Sequence, residues 1–455
     1  MTTAARPLPG PPREYHFPRF AKHTLSNGLT VIVARVPKLP LVSVAAVVDA
    51  TALDDQKGKE GTAQLAARGL KEGTASRNGS RLSLDLEKLG TSLEAGADWD
   101  GTVASMTVLS GKLDEAFEIF AEVLREPAFR ADDLERLKAE RLAERMQLLD
   151  EPRGLADESF SRFIYAHDSR YSAPVGGDSN SVPKITREDI VTFHRENYVP
   201  PATTVILAGD ITLEDSIRLI ESTLGSWRGK QVVARHDADR PARTERAIEL
   251  VAKADAAQSE VRVGHIGVPR THPDYFPIVV MNSVLGGLFS SRINLNLREE
   301  HGYTYGASSH YDWRRQAGPF EISTAVQSEV TAQAVAETLK EIDRMRGEEI
   351  TSDELTLATS YLEGVFPIRY ETTAAIASAL ANMVMFGLPE DYFDTYRENI
   401  ASVTTADVLN AAKAHVDPDK LQVVIVGNPE IIREPVEQLS FGPLSVREAS
   451  EASEA

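Results

Sequence analysis

Apolar and polar positions along the chain follow two rhythms. Apolar runs of strand length occur at 29–34, 42–48, 102–109 and 203–208, and helical periodicity occurs at 62–70, 80–89, 113–124, 131–149 and 187–197. Hairpin-like strand pairs beside long helices predict an α+β fold, with a sheet covered by helices on one side.

The pattern then returns. Residues 185–210 (ITREDIVTFHRENYVPPATTVILAGD) and 403–428 (VTTADVLNAAKAHVDPDKLQVVIVGN) align at a constant shift of 218. That shift lays Asp189 on Asp407, Pro200 on Pro418, Val205 on Val423 and Gly209 on Gly427. In both segments a Thr N-cap opens a helix, a Pro-containing turn ends it, and an apolar strand follows, closed by Gly. The same shift lays the strand at 29–33 on 247–251. With a small slip, the helix at 115–124 pairs with 334–344, and Asp132 and Asp353 each open a further helix. A period this long excludes a solenoid and implies two homologous domains from duplication. The expected layout is an N-terminal tail at 1–20, a first domain at 21–230, a linker at 231–245, a second domain at 246–440 and an acidic flexible tail at 441–455. Each domain should hold a mixed, mostly antiparallel sheet covered by helices.

Composition narrows the function. The chain is 42% hydrophobic and 26% charged, as expected of a globular protein. Its formal net charge of −19 argues against nucleic acid or an anionic membrane as partner and favours basic peptides. There is no cysteine, so thiolate metal sites, disulfides and cysteine nucleophiles are excluded. The N-terminus has no apolar core, and no run of about 18 apolar residues appears. A cytoplasmic location without a membrane span is expected, with the periplasm open if a leader was trimmed. The ten His include no two spaced by three or four residues, and each reads as a surface or capping residue.

Residues 61–74, GTAQLAARGLKEGT, carry the candidate chemistry. They resemble the active-site helix of the pitrilysin and insulysin family of inverted zinc peptidases, whose pattern there is roughly G-x-A-H-x-x-E-H-x-x-x-x-G-T. Gly61, Ala63, Gly73 and Thr74 match. The chemistry needs two His four residues apart to ligate zinc and a Glu to take a proton from zinc-bound water. Gln64, Ala67 and Arg68 stand at those three positions. Gln is a poor ligand, Ala is no base, and Arg offers no lone pair and repels a cation. The family's third ligand, a Glu on a later helix, would correspond to Glu144, which on its own reads as one of several solvated helix carboxylates.

Residues 285–312 resemble the same family's substrate-clamping segment, in which an Arg and a Tyr seven residues apart contact the peptide near the scissile carbonyl. Arg298 and Tyr305 have that spacing. Read without the resemblance, Arg298 could pair with Glu299 or Glu300, and Tyr305 could be a strand aromatic. Gly286 and Gly287 would form a substrate loop or simply break a helix. The resemblance covers nearly the whole chain and implies the zinc-less subunit of a heterodimeric, mitochondrial-processing-peptidase-like enzyme. Such a chain holds no cofactor of its own, and its homologous partner carries zinc on an intact H-x-x-E-H. The two would close around a chamber for peptide substrates. The competing readings are a non-catalytic structural homologue, like the family's core subunits in the respiratory cytochrome complex, and a peptidase with an unorthodox metal site.

Overall fold

The computed structural model describes residues 14–231 and 237–449. The first half builds one sheet from β1 (Phe20–Thr24), β2 (Thr30–Arg35), β3 (Leu41–Val48), β4 (Glu94–Ala97), β5 (Thr102–Leu109) and β6 (Thr203–Gly209). Its order is β1-β2-β6-β3-β5-β4. The second half repeats this with β7 (Ala247–Ala252), β8 (Gln258–Ile266), β9 (Ala307–Tyr311), β10 (Pro319–Gln327), β11 (Gln422–Gly427) and β12 (Leu444–Glu448), in the order β12-β7-β11-β8-β10-β9. In each sheet the strand that follows the Pro turn lies parallel to one neighbour and antiparallel to the other.

The repeated segments fold alike because they carry the same punctuation. Thr186 and Thr404 each cap a helix, and the Asp189 and Asp407 carboxylates accept from the backbone N–H of the cap. Pro200 and Pro418 each open a short helical turn before β6 and β11. Gly209 ends β6 at φ +147°, where a Cβ would strike the Leu41 carbonyl oxygen at 2.1 Å, so no other residue fits.

One correction concerns the outer faces of the sheets. β3 and β11 are buried along nearly their whole length, so helices cover both faces and not one. Alternate residues of β3 face opposite ways. Val42, Val44 and Val48 join Phe117 and Phe120 in the first half's own core. Ala45 and Val47, with Ile206 and Ala208, instead join Ile376 and Leu380, on a helix of the second half (Thr373–Phe386) that packs on β3 and β6. The exchange is mutual. Helix Pro152–Ile164 of the first half packs on β8 and β11, where Phe160 meets Val424 and Val426.

The sixth strand differs between the halves. β1 runs antiparallel to β2 and precedes it, whereas β12 runs parallel to β7 and arrives from the C-terminal end. Part of the expected acidic tail is therefore an edge strand. The edge of β7 offers unpaired backbone groups, and Arg447 adds an ion pair to Glu249 at 2.8 Å. The expected N-terminal tail is likewise anchored. Phe17 is buried and stacks on Phe393 with ring centroids 4.0 Å apart, and Tyr15 packs edge-on against Phe366. The expected linker lies partly outside the described residues. Its described part pairs with the end of helix Pro152–Ile164, through Ala166 N–H to the Arg240 carbonyl and Ala242 N–H to the Ile164 carbonyl, each at 2.8 Å.

Among the described residues one helical stretch, Tyr275–Glu300, is by length and composition apolar enough to cross a membrane, although no such run was expected. More than half of its most apolar 18-residue window is buried inside the protein, as befits a core helix.

Candidate functional site

The helix Thr62–Gly69 follows β3 and the short turn Ala52–Asp54. Its N-cap, Gly61, sits at φ +104°, and a Cβ there would meet the Gly176 carbonyl oxygen at 2.4 Å. The amides of Gly61 and Ala63 both donate to the carboxylate of Asp55 at 2.8 Å, and Arg170 donates to it at 2.9 Å. Burial pushes the Asp55 carboxyl up while these donors oppose the shift. Three donors and no acceptor fit the ionised form, which also suits a helix N-terminus.

At the three reactive positions the structure places packing and pairing. Ala67 is fully buried in the core of the first half. Gln64 presses against Gly176, and its Oε1 is buried without a hydrogen-bond partner. Arg141 flanks the same glycine, donating to the carbonyls of Gly176 at 3.1 Å and Gly177 at 3.3 Å. The long helix Ala131–Asp150 carries Glu144 to this place from 76 positions away. Arg68 grips both Glu144 oxygens, at 2.9 and 2.8 Å. That bidentate grip holds the Glu144 carboxyl below the usual carboxylate range. The Arg141 guanidinium is pushed down by its burial and by the neighbouring Arg68 charge.

Zinc does not fit these residues. A dication needs neutral nitrogens or carboxylates around it, and the Glu144 carboxylate is already committed to a fixed cation, with a second cation alongside. The Arg68 guanidinium is the positive partner of Glu144, the residue aligned with the family's third ligand. The chain is zinc-less because of what fills the positions.

In the second half the helix Tyr275–Asn282 widens into a π-type turn, Ser283–Gly287. Gly286 and Gly287 lie in that turn and do not form a loop. A Cβ on Gly286 would come within 2.5 Å of the Ser309 amide nitrogen on β9, and one on Gly287 within 3.0 Å of the Asn282 carbonyl oxygen. Glycine here serves close packing. The chain then bends through residues 288–291 and is pinned by Arg292, bidentate to Glu354 at 2.7 and 2.9 Å. Arg298 lies in a second wide turn, Leu295–Glu300, with its guanidinium 4.5 Å from the Phe289 ring centroid and 3.4 Å from Glu299. Tyr305, just before β9, is 92% exposed. Among the described residues Arg298 and Tyr305 share no hydrogen bond or cation–π contact, and nothing hydrogen-bonds the Tyr305 hydroxyl. Tyr305 is thus not a strand aromatic packed on a sheet face, whereas Arg298 does contact Glu299.

One grouping was invisible in the spacing of the His. His415 Nε2 donates to the Asp274 carboxylate at 2.7 Å, and His272 lies edge-on to His415 at 4.7 Å. Their ligand atoms lie within 4.8 Å of one another, the one such set of three among the described residues. Burial and the neighbouring His415 push His272 down. The fold assembles it from a loop and the end of helix Thr405–His415, so no local motif announces it.

Comparison with known proteins agrees with this geometry. Residues 30–170 match the family model for insulinase, peptidase family M16, and residues 184–362 match that for the peptidase M16 inactive domain. An uncharacterized zinc protease of Mycobacterium bovis is 25% identical over 89% of this chain and 92% of its own length. The non-peptidase homolog YmxG of Helicobacter pylori is 24% identical over 82% of this chain and 85% of its own. The crystal structure of a peptidase M16 inactive domain from Pseudomonas fluorescens superposes with a TM-score of 0.85 at 26% identity, covering 90% of this chain and 98% of that one. These matches run in chain order through both halves, and with Gln64, Ala67 and Arg68 in the reactive positions they place this chain in peptidase family M16, as a non-catalytic, zinc-less member.

Proposed function

We propose that this chain is the substrate-holding subunit of a two-chain metallopeptidase, lending Arg298 and Tyr305 to a zinc site on a homologous partner with an intact H-x-x-E-H. The observation that carries this is the exposure of Tyr305, at 92%. An aromatic of this size is ordinarily partly buried by its own fold, and one left out in solvent supports a role in meeting something outside the chain.

The chemistry follows from the two side chains. Peptide hydrolysis passes through a tetrahedral oxyanion. The phenol of Tyr305 would donate a hydrogen bond to that oxygen, and the guanidinium of Arg298 would hold a neighbouring backbone carbonyl of the peptide. The metal in the partner would supply the activated water. Stacking on Phe289 limits the conformations of Arg298 before a peptide arrives, which lowers the entropy lost on binding.

The test is steady-state kinetics of the mixed chains. Tyr305→Phe should lower kcat by about 10²–10³, the scale of losing one oxyanion donor. Arg298→Ala should raise KM as well. Complex size and the partner's zinc content should not change. Full activity of the double variant would overturn the proposal and leave a structural homologue as the description.

A further inference from the structure

The second half holds a buried cation with no anion beside it. Arg270 is 7% exposed. Its guanidinium lies 3.6 Å from the Tyr275 ring centroid and 5.0 Å from that of Tyr392, and it donates to the Tyr392 hydroxyl at 2.7 Å. No carboxylate pairs with it among the described residues. Burial pushes the Tyr392 phenol well above its usual range, so that hydroxyl stays neutral and does not serve as counter-ion. A buried charge is costly to leave unpaired, so something of opposite sign is favoured beside it.

Arg270 lines a cavity of about 690 Å³ between helix Tyr392–Ala401, the crossing helix Thr373–Phe386 and the residues around Trp313. That is the size of a small-ligand site. Nearly half of its lining residues are Phe, Tyr or Trp, and Arg369 stands exposed in its lining as a second cation. The one acidic residue in the lining, Asp312, is already held by Arg314 through Nε at 2.9 Å and Nη2 at 2.5 Å. A protein of net charge −19 therefore keeps a locally cationic, aromatic-walled pocket.

We propose that this cavity binds a carboxylate attached to an apolar body, with Arg270 as the buried anchor for the carboxylate and the rings of Tyr275, Trp313 and Phe393 enclosing the body. A free aromatic or aliphatic acid and the C-terminus of a peptide ending in an apolar residue share this chemistry. The site lies outside the Arg298 and Tyr305 segment and is tested on the isolated chain, so its failure would leave the two-chain reading untouched.

Calorimetric titration of the unaltered full chain decides the matter with four probes: N-acetyl-phenylalanine, its amide, the tripeptide Ala-Ala-Phe and its C-terminal amide. Each free acid should bind at least about tenfold tighter than its amide, the scale of a charge-assisted hydrogen bond. Tighter binding of the tripeptide acid than of N-acetyl-phenylalanine identifies a peptide C-terminus. Equal or weaker binding identifies a small organic acid. Arg270→Gln, with its thermal midpoint measured alongside, should lose the acid's advantage, and Arg270→Lys should keep part of it. Equal affinity for acid and amide, or no heat from either acid at millimolar concentration, would overturn the proposal without relying on any variant.

Discussion

In the first half, the helix that follows β3 puts Ala67 into the core and clamps Arg68 on Glu144. In the second half, the helix that follows β8 widens at Ser283–Gly287 and leads into a surface segment that holds Tyr305 out to solvent. Both helices follow corresponding strands of two sheets with nearly the same strand order. The difference shows how a reactive site disappears. Its positions are reassigned to packing and pairing, and each replacement makes a contact that the fold can use. Tyr305 carries the opposite mark, a large side chain that the fold leaves in solvent.

The sharpest way to break the comparison is to attack what the halves share. Phe160→Ala in one crossing helix and Leu380→Ala in the other each empty a fully buried site, at a cost of about 2–5 kcal/mol. Either change should loosen both halves together, because each helix covers the sheet of the other. Hydrogen exchange read separately on β6 and β11 checks this, and protection lost in one half alone would contradict it.

Restoring chemistry to the first half is the next largest step. The variant Gln64→His, Ala67→Glu, Arg68→His supplies the missing groups and frees Glu144. Arg141 would still stand across Gly176 from the imidazole introduced by Gln64→His. Zinc affinity, measured by chelator competition, should rise a further 10–100-fold, roughly, when Arg141→Gln is added. Equal affinity with and without that fourth change would show that Arg141 does not guard the position.

The smallest effect is expected for Arg68→Ala. The pair is partly exposed, 26% on Arg68 and 49% on Glu144, so screening limits its worth to about 0.2–1 kcal/mol. The sign with pH is fixed by Glu144, whose folded pKa is depressed by Arg68. Its stabilisation is complete above the unfolded pKa and is lost as pH falls through the folded one. The gap between wild type and variant should therefore be widest at neutral pH and close in acid. Urea titrations at several pH values measure it, and a gap that widens in acid would show that Arg68 acts on another group.

Much of this was legible in the residues themselves. The helix at Arg187–Asn197 and the strand at Thr102–Leu109 have the limits that periodicity and punctuation predict. The empty zinc motif was legible because the chemistry depends on residue type. The Arg68–Glu144 pair was not, since its members come from helices far apart in sequence. Helix Pro152–Ile164 was not legible because it follows the previous helix without a break in composition and its apolar face answers a sheet in the other half. β1 and β12 are short edge strands with mostly exposed side chains, so neither shows an apolar run. The pocket around Arg270 draws its walls from several elements and has no local pattern.

The crossing helices also set a schedule for synthesis. The last strand of the first sheet ends at Gly209, but the helix that covers that sheet's outer face ends at Phe386. At the usual 5–20 residues per second, roughly 10–35 s of translation separate the two. Throughout that interval Ile32, Ala45, Val47 and Ile206 lack the partner that finally covers them. The nascent chain therefore carries an uncovered apolar sheet face at the ribosome, a natural binding surface for a chaperone, until its second half supplies the lid.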